Sequence, residues 1–300
     1  MNRINHDGAL FVLTVRKWGG ARKLEPQDLG LSPHEIPEFM QLGRKLLIPR
    51  EVSLRFARIE ACARNLLERY SFSYRIGSAR FVPTRAMRLV EERLGSYKWQ
   101  FENARDDFLA RYEDIRDEML RKYEAYRDRL EPFYPPRLVI SQKYGFEWHV
   151  FEIAPAQAMR NLMSDEEFRE YKAKLDREID AFIEDVIKEL RSQVKETCLN
   201  LREKLQKNEI VNGQTIRSVY LTIERFKALN FVNDVEIESQ LARLKEMLDR
   251  HREEGNLTNE QVRNQISDLA RDIAREASCI SDFAIDELKG RYKRKLEIDE

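Results

Sequence analysis

The nearest approach to a phosphate-binding motif in this sequence is a glycine pair followed by basic residues, Gly19-Gly20-Ala21-Arg22-Lys23. A P-loop needs a fixed spacing from its first glycine to Gly-Lys-Ser/Thr, because backbone amides cradle the phosphates and the hydroxyl binds Mg²⁺. This segment has neither that spacing nor the hydroxyl. We therefore interpret it as a strand end that needs a flexible backbone, with an anion-binding turn as the alternative.

Residues that could bind a metal or act as nucleophiles are not grouped in a recognisable pattern. The four histidines are scattered without an HExxH spacing, and the three cysteines, Cys62, Cys198 and Cys279, include no CxxC pair. The acidic run Asp165-Glu166-Glu167 falls at an expected helix start, where the helix dipole accounts for it. The sequence thus predicts a non-enzyme with no metal, no cofactor and no catalytic residue, and a composite site assembled in space stays open. Cys62 and Cys198 lie beside apolar helix stripes, so both are predicted to be core residues.

Basic residues are concentrated in the first third of a chain whose formal net charge is zero. Residues 1–98 contain 18 Lys and Arg against 10 Asp and Glu, and several of these cations neighbour aromatic residues. Exposed cations interleaved with aromatic rings can bind nucleic acid by charge and stacking, whereas rings that face the core leave only solvated cations. We favour the second interpretation and keep nucleic-acid binding as the alternative function, with the candidate residues Arg16, Lys17, Arg22, Lys23, Arg75 and Arg80.

Two long segments carry apolar residues at steps of three and four, which is typical of amphipathic helices. The first covers residues 84–131, and the second covers residues 164–207 and opens with a Ser164–Glu167 capping box. At the helical rise, each would span roughly 65–70 Å. Their matched lengths predict a long antiparallel hairpin, coiled-coil-like, that crosses at about +20°.

Shorter elements complete the predicted fold. Strands are expected at residues 9–18, in a small hairpin that turns at Gly77-Ser78, and at residues 146–153; a short helix follows the Ser32–Glu35 capping box, and a longer one starts at Pro49. The fold class is therefore mainly α with a small β-sheet (α+β), built from a long helical hairpin and a C-terminal helical bundle. The expected regions are 1–83 (strand, helix and β-hairpin), 84–207 (helical hairpin, with strand 146–153 joining the N-terminal sheet) and 208–300 (C-terminal helices).

The cysteines and the apolar runs bear on the cellular compartment. An odd number of widely separated cysteines predicts free thiols in a reducing environment. The apolar run Ala9–Val15 is too short for the core of a signal peptide or for a membrane span. We therefore expect a cytoplasmic protein without a membrane segment.

Short segments spread over the first half of the chain carry a family resemblance. They are Val15-Arg16-Lys17-Trp18-Gly19, Arg22-Lys23-Leu24, Leu46-Leu47-Ile48-Pro49, Arg69-Tyr70, Phe81-Val82-Pro83, Phe108-Leu109-Ala110-Arg111-Tyr112 and the strand at 146–153. In this pattern, residues 8–200 resemble an uncharacterised bacterial and phage family that carries only a domain-of-unknown-function label. Its members are often encoded on mobile elements beside a MoxR/CobS-like AAA+ ATPase and a von Willebrand A-type protein. The resemblance implies such an ATPase as a partner, but no activity and no site residues.

Aromatic residues beside prolines mark the distal end of the predicted hairpin. Tyr126, Phe133 and Tyr134 are expected to be exposed or half-exposed there, and tyrosine suits interfaces because it buries area and keeps a polar group. We predict that these residues contact a partner, either a second copy of the chain or an ATPase subunit. The alternative is that the rings cap the hairpin base against strand 146–153. The leading function is therefore a non-enzymatic interaction or adaptor protein.

Overall fold

The computed structural model describes residues 7–37, 39–153, 160, 162–207, 213–253, 259–278 and 288–289. The chain divides into two compact units, each assembled from separate stretches of sequence. The bundle unit comprises Met1–Phe11, Glu68–Arg88 and Val150–Glu300, and the ribbon unit comprises Val12–Leu67 and Leu89–His149. The predicted fold class, mainly α with a small β-sheet, is confirmed.

The described residues contain six strands, which form a four-stranded sheet and a two-stranded ribbon. The strands are β1 (Gly8–Arg16), β2 (Ala21–Lys23), β3 (Arg44–Leu46), β4 (Phe72–Ser73), β5 (Arg80–Pro83) and β6 (Gly145–Phe151). The sheet has the order β4-β5-β1-β6, and β2 pairs with β3. The strand predicted at residues 146–153 therefore lies beside β1, as expected.

The small hairpin β4–β5 follows from local turn chemistry. Gly77 has φ of 54°, and the Ala79 N–H donates to the Ile76 carbonyl at 3.0 Å, so the chain reverses at Gly77-Ser78 as predicted. Strand β5 then pairs antiparallel with β1, from Gly8 opposite Pro83 to Phe11 opposite Arg80. The first four residues of β1 are buried, which agrees with the apolar run in the sequence.

Nine α-helices lie within the described ranges. They are α1 (Arg50–Arg69), α2 (Thr84–Ala110), α3 (Tyr112–Lys122), α4 (Arg127–Leu130), α5 (Arg137–Ser141), α6 (Asp165–Gln206), α7 (Gly213–Leu229), α8 (Val235–Glu253) and α9 (Glu260–Ser278). Of these, none is both long enough and apolar enough to cross a bilayer. The Ser32–Glu35 capping box is present, but it opens only a single 3₁₀ turn, Pro33–Glu35.

The prediction of one continuous helix over residues 84–131 is wrong. Helix α2 ends at Ala110, Arg111 leaves helical geometry with ψ of 5°, and α3 then ends at Lys122. At the break the Arg111 N–H donates to the Phe108 carbonyl at 3.2 Å, a three-residue spacing that interrupts the α-helical pattern. Beyond the break Tyr112 is buried, with its hydroxyl donating to the Pro135 carbonyl at 2.8 Å.

The predicted hairpin between residues 84–131 and 164–207 is also wrong. Helix α6 is continuous and begins at the predicted Ser164–Glu167 capping box, but it packs against α7 and α9. Helix α8 in turn packs against α7 and α9, so the four helices form a bundle. The apolar stripe of α6 is thus buried by helices of its own unit, and most of α2 belongs to the ribbon unit. The C-terminal helical bundle was predicted, but the membership of α6 was not.

A buried polar network fixes the turn between α7 and α8 in the bundle unit. The Arg191 Nε of α6 donates to Asp234 Oδ2 at 2.7 Å, and these residues are only 4% and 2% exposed. Asn230, which is also buried, accepts the Asp234 N–H at 2.8 Å and donates to Glu238 Oε2 at 2.6 Å. Each buried polar group in this turn therefore has a specific partner, which favours one arrangement of the helices.

Aromatic rings form the core of the ribbon unit. The Phe56 ring of α1 lies 4.8 Å from the Tyr144 ring and 5.3 Å from the Phe101 ring of α2, centroid to centroid. The Phe108 ring lies 6.3 Å from the ring of Trp18, which is two residues after the end of β1. Tilted and edge-on pairs at these distances stabilise one another beyond simple area burial. Trp18 thereby anchors the start of the segment that leads into the ribbon β2–β3.

Candidate protein-binding site

The ribbon β2–β3 is held at both ends by backbone hydrogen bonds. The Leu47 N–H donates to the Gly20 carbonyl at 2.8 Å, and the Leu24 N–H donates to the Gly43 carbonyl at 3.0 Å. Gly20 has φ of 55°, so the predicted need for a flexible backbone at the end of the first strand is confirmed at this position. The two ends of the segment between Leu24 and Gly43 therefore lie next to each other.

A largely buried ion pair joins this segment to the ribbon. Lys45 Nζ of β3 lies 2.7 Å and 2.8 Å from the two carboxylate oxygens of Asp28. Burial by itself would raise the pKa of Asp28, but hydrogen bonds from Lys45 and from the Glu25 N–H, with the charges of Lys45 and Arg129, hold it below its usual value. The Arg129 guanidinium of α4 also donates to the carbonyls of Gln27 and Asp28, both at 3.0 Å. The 3₁₀ turn Pro26–Leu29 is thus fixed by contacts to β3 and α4.

A groove of about 550 Å³ lies between this turn, the ribbon and the end of α3. Its apolar lining includes side chains that are unusually exposed for their type: Leu29 is 51% exposed, Leu46 is 49% exposed and Tyr126 is 51% exposed. Tyr123 contributes a further partly exposed ring. Charged residues also line the groove, among them Arg50, Glu51, Glu118 and Lys122. The groove therefore offers both apolar and charged contacts.

A second groove, of about 430 Å³, adjoins the first because Leu24 lines both. Met40, which is 55% exposed, lines this second groove, and Phe39 beside it is 83% exposed. We name the exposed apolar residues of the two grooves and the adjoining Phe39 the ribbon surface; it comprises Leu29, Phe39, Met40, Leu46, Tyr123 and Tyr126. Contiguous exposed apolar side chains of this kind typically mark protein-binding sites.

The three predicted partner-binding residues differ in their surroundings. Tyr126 is exposed and lines the first groove. Phe133 and Tyr134 are half-buried, as expected, but they contact β3 and the residue after it. Lys45 Nζ lies 4.0 Å from the centre of the Phe133 ring, and the Tyr134 hydroxyl donates to the Leu47 carbonyl at 2.6 Å. Burial raises the pKa of Tyr134 to about 12, so this hydroxyl stays a donor at neutral pH. Of the three residues, Tyr126 has the most surface left for a partner.

The six candidate nucleic-acid residues do not form one equivalent set. In the ribbon unit, Arg16 lies 3.4 Å from Glu147, and Lys17 lies 2.6 Å from Glu60. Their charges are therefore compensated within the protein. Arg22 and Lys23 of β2 are exposed and pair with no acid among the described residues.

The other two candidates, Arg75 and Arg80, belong to the bundle unit. Arg75 lies 3.6 Å from Asp185 in an exposed ion pair. Arg80 donates to the hydroxyls of Ser71 and Ser73 at 2.6 Å and 3.2 Å, and its burial lowers its pKa. The aromatic neighbours Trp18 and Phe81 are buried, which agrees with the favoured interpretation that the rings face the core.

Candidate catalytic chemistry is sparse in the described ranges. Within them, no three His, Cys, Asp or Glu side chains approach closely enough to hold a metal ion. Cys198 is buried as predicted, and burial raises its pKa to about 12, which disfavours the reactive thiolate. The prediction that Cys62 is a core residue is wrong, because it lies on the exposed face of α1. Cys279 lies outside the described residues.

Most of the ribbon surface was missed by sequence reasoning. Leu29, Phe39, Met40 and Leu46 show neither helical nor alternating periodicity, so no pattern singled them out. One local signal was present: Phe39-Met40 is a pair of large apolar residues in a loop bounded by Pro37 and Gly43. Exposed loops seldom need such residues for packing, which makes a pair of them a reasonable indicator of binding.

Comparisons with known proteins identify the family of this chain. No curated protein and no solved structure matches this chain. A family model described as a protein of unknown function, DUF3150, matches residues 7–271. That match covers most of both units, and the chain therefore belongs to the DUF3150 family of proteins of unknown function.

Proposed function

We propose that this chain is a non-enzymatic adaptor that binds a protein partner through the ribbon surface. The observation that carries the proposal is the exposure of large apolar side chains around two adjoining grooves, Phe39 and Tyr126 above all. Fully burying a side chain of this size contributes about 1.5–3 kcal/mol. A few such residues at the centre of an interface supply most of its affinity.

The rest of the site suits recognition by a protein. The Asp28–Lys45 pair and the carbonyl contacts of Arg129 fix the groove walls, so little ordering is needed when a partner binds. The charged residues that line the groove, Arg50, Lys122 and Glu118 among them, favour an oriented and reversible contact. These features support binding rather than turnover.

We propose further that the partner is an AAA+ ATPase of the MoxR/CobS type, and that the pair works in the cytoplasm as part of a mobile-element or phage-related system. The resemblance of residues 8–200 described above supports this choice. An adaptor needs an accessible site that is separate from its structural core. The ribbon surface meets this requirement, because its apolar residues lie outside the aromatic core around Phe56 and Phe108.

The test is binding of a MoxR/CobS-type AAA+ ATPase from the native host to the purified full chain, measured by biolayer interferometry. A Leu29→Ala/Tyr126→Ala variant should bind at least about tenfold more weakly, since losing about 1.4 kcal/mol of interface energy corresponds to a factor of ten. A Trp99→Ala/Leu138→Ala variant is the matched control, because both residues are exposed and apolar but line neither groove of the ribbon surface.

The outcomes separate the two parts of the proposal. If the target and control variants lose the same affinity for the ATPase, the ribbon surface is not the binding site. If a different host protein binds with the same dependence on Tyr126, the adaptor role stands and the ATPase is excluded as the partner. Concentration-dependent self-association that disappears in the Leu29→Ala/Tyr126→Ala variant, measured by analytical ultracentrifugation, would identify a second copy as the occupant.

A further inference from the structure

The register of the ribbon opposes four cations in two pairs, one pair on each face of the ribbon. Arg22 of β2 is paired with Lys45 of β3, and Lys23 is paired with Arg44. Directly opposed side chains in an antiparallel pair lie about 4.5–5.5 Å apart at their Cβ atoms, and like charges at that distance are destabilising. The strands β2 and β3 contain no acidic residue.

Within the described ranges, only Lys45 among these four cations has a counter-charge. Lys45 binds both carboxylate oxygens of Asp28 and is nearly buried. Arg22, Lys23 and Arg44 are exposed, and none of them makes a side-chain hydrogen bond or an ion pair with another described residue. Within that part of the chain, these three cations therefore have no counter-charge.

We propose that Arg22, Lys23 and Arg44 form a binding surface for the phosphate backbone of duplex DNA. Duplex DNA carries one negative charge per about 1.7 Å of axis, a density that a cluster of unpaired cations matches. A two-stranded ribbon is also one of the elements that the major groove of B-DNA admits. Single strands bind by stacking on exposed aromatic rings, and neither strand of the ribbon contains one. A single strand would therefore depend on Tyr123 and Tyr126 of the ribbon surface, whereas a duplex needs only the three cations.

This proposal is independent of the adaptor function, since it rests on the charges of the ribbon and not on its apolar residues. It also changes the set of candidate nucleic-acid-binding residues that was predicted from the sequence. Arg16 and Lys17 are excluded because they already pair with Glu147 and Glu60, while Arg44 is added by the strand register. No helical or alternating pattern in the sequence relates Arg44 to Lys23, because they are brought together only by strand pairing.

The test is fluorescence anisotropy of the full chain with a labelled duplex of about 20 base pairs, titrated at several salt concentrations. Three phosphate contacts predict that affinity falls about 40-fold between about 50 and about 200 mM salt. An Arg22→Ala/Lys23→Ala/Arg44→Ala variant should lose most of the salt-dependent binding. An Arg93→Ala/Arg121→Ala/Lys143→Ala variant, which removes the same number of exposed cations elsewhere in the ribbon unit, should keep it.

The ribbon variant also gives a readout that does not depend on DNA. Because it removes opposed like charges, its melting temperature should equal or exceed that of the parent chain. The proposal is overturned if the duplex shows no salt-sensitive binding, or if the two triple variants lose it equally. Preferential binding of a single strand of the same sequence, or binding of polyglutamate in place of the duplex, would also overturn it and would point to stacking or to an acidic protein partner.

Discussion

Replacing Gly20 by alanine should destabilise the ribbon unit, whereas the same change at the adjacent Gly19 should not. Gly20 has φ of 55°, and a Cβ built there would lie 2.3 Å from both Cγ1 and Cδ1 of Ile48. Ile48 is 2% exposed and therefore has little room to move. Gly19 is exposed, has no positive φ, and has no atom within 4 Å of such a Cβ.

The two costs at Gly20 can be estimated separately. A left-handed conformation costs a residue with a Cβ about 1–2 kcal/mol. Forcing extra volume against a packed side chain such as Ile48 costs about 1–3 kcal/mol. Together these predict that Gly20→Ala lowers the free energy of unfolding by about 2–5 kcal/mol, while Gly19→Ala stays within about 0.5 kcal/mol of the parent chain.

The measurement is urea denaturation followed by tryptophan fluorescence. All three tryptophans, Trp18, Trp99 and Trp148, belong to the ribbon unit, so this signal reports on that unit. Far-UV circular dichroism of the same samples follows the helices of both units. If Gly20→Ala costs less than about 1 kcal/mol, or if the two alanine variants are equally destabilised, the strain assigned to Gly20 is absent.

Three further predictions concern buried groups in the two units. Asp234→Asn should lower the free energy of unfolding by about 3 kcal/mol, because it leaves the buried guanidinium of Arg191 without its counter-charge. The measurement is urea denaturation followed by circular dichroism, and a loss below about 1 kcal/mol would mean that Arg191 reaches water. Tyr144→Phe should leave stability unchanged or raise it by about 1 kcal/mol, since the buried Tyr144 hydroxyl has no hydrogen-bond partner among the described residues; a marked loss of stability would reveal a partner for that hydroxyl. Iodoacetamide at pH 8 should modify Cys62 rapidly and Cys198 only after unfolding, because burial raises the pKa of Cys198 to about 12. Mass spectrometry identifies the modified cysteines, and equal rates in the folded protein would contradict the buried position of Cys198.

Helix starts and apolar helix faces were predictable from the sequence, because they depend on residues three or four positions apart. The Ser164–Glu167 capping box starts α6 at the expected residue, with the Glu167 N–H donating to Ser164 Oγ. The apolar stripe of α8 is buried as its spacing predicts, including Leu244, and so is the stripe of α6 from Ile179 onward, including Leu190. Such signals survive in the linear sequence because both partners in each contact lie within one turn of helix.

The pairing of these helices was decided only by the tertiary structure. An amphipathic stripe specifies that a face must be covered, but any apolar face of suitable length can cover it. Matched length suggested residues 84–131 as the partner of α6, yet α7 and α9 cover it. The break at Arg111 was not predicted either, because apolar steps of three and four continue across it from Phe108 to Tyr112 and Ile115.

The candidate sites depend on the tertiary structure more strongly still. Leu29, Leu46 and Tyr126 line one groove although they are far apart in the sequence, and Lys23 meets Arg44 only through the β2–β3 register. The sequence by itself determined that the segment around the ribbon is rich in cations and has apolar residues in its loops. It also determined the local turn at Gly20. Which side chains became exposed neighbours was decided by strand pairing and by the Asp28–Lys45 contact, because exposure and proximity depend on distant parts of the chain that local periodicity does not encode.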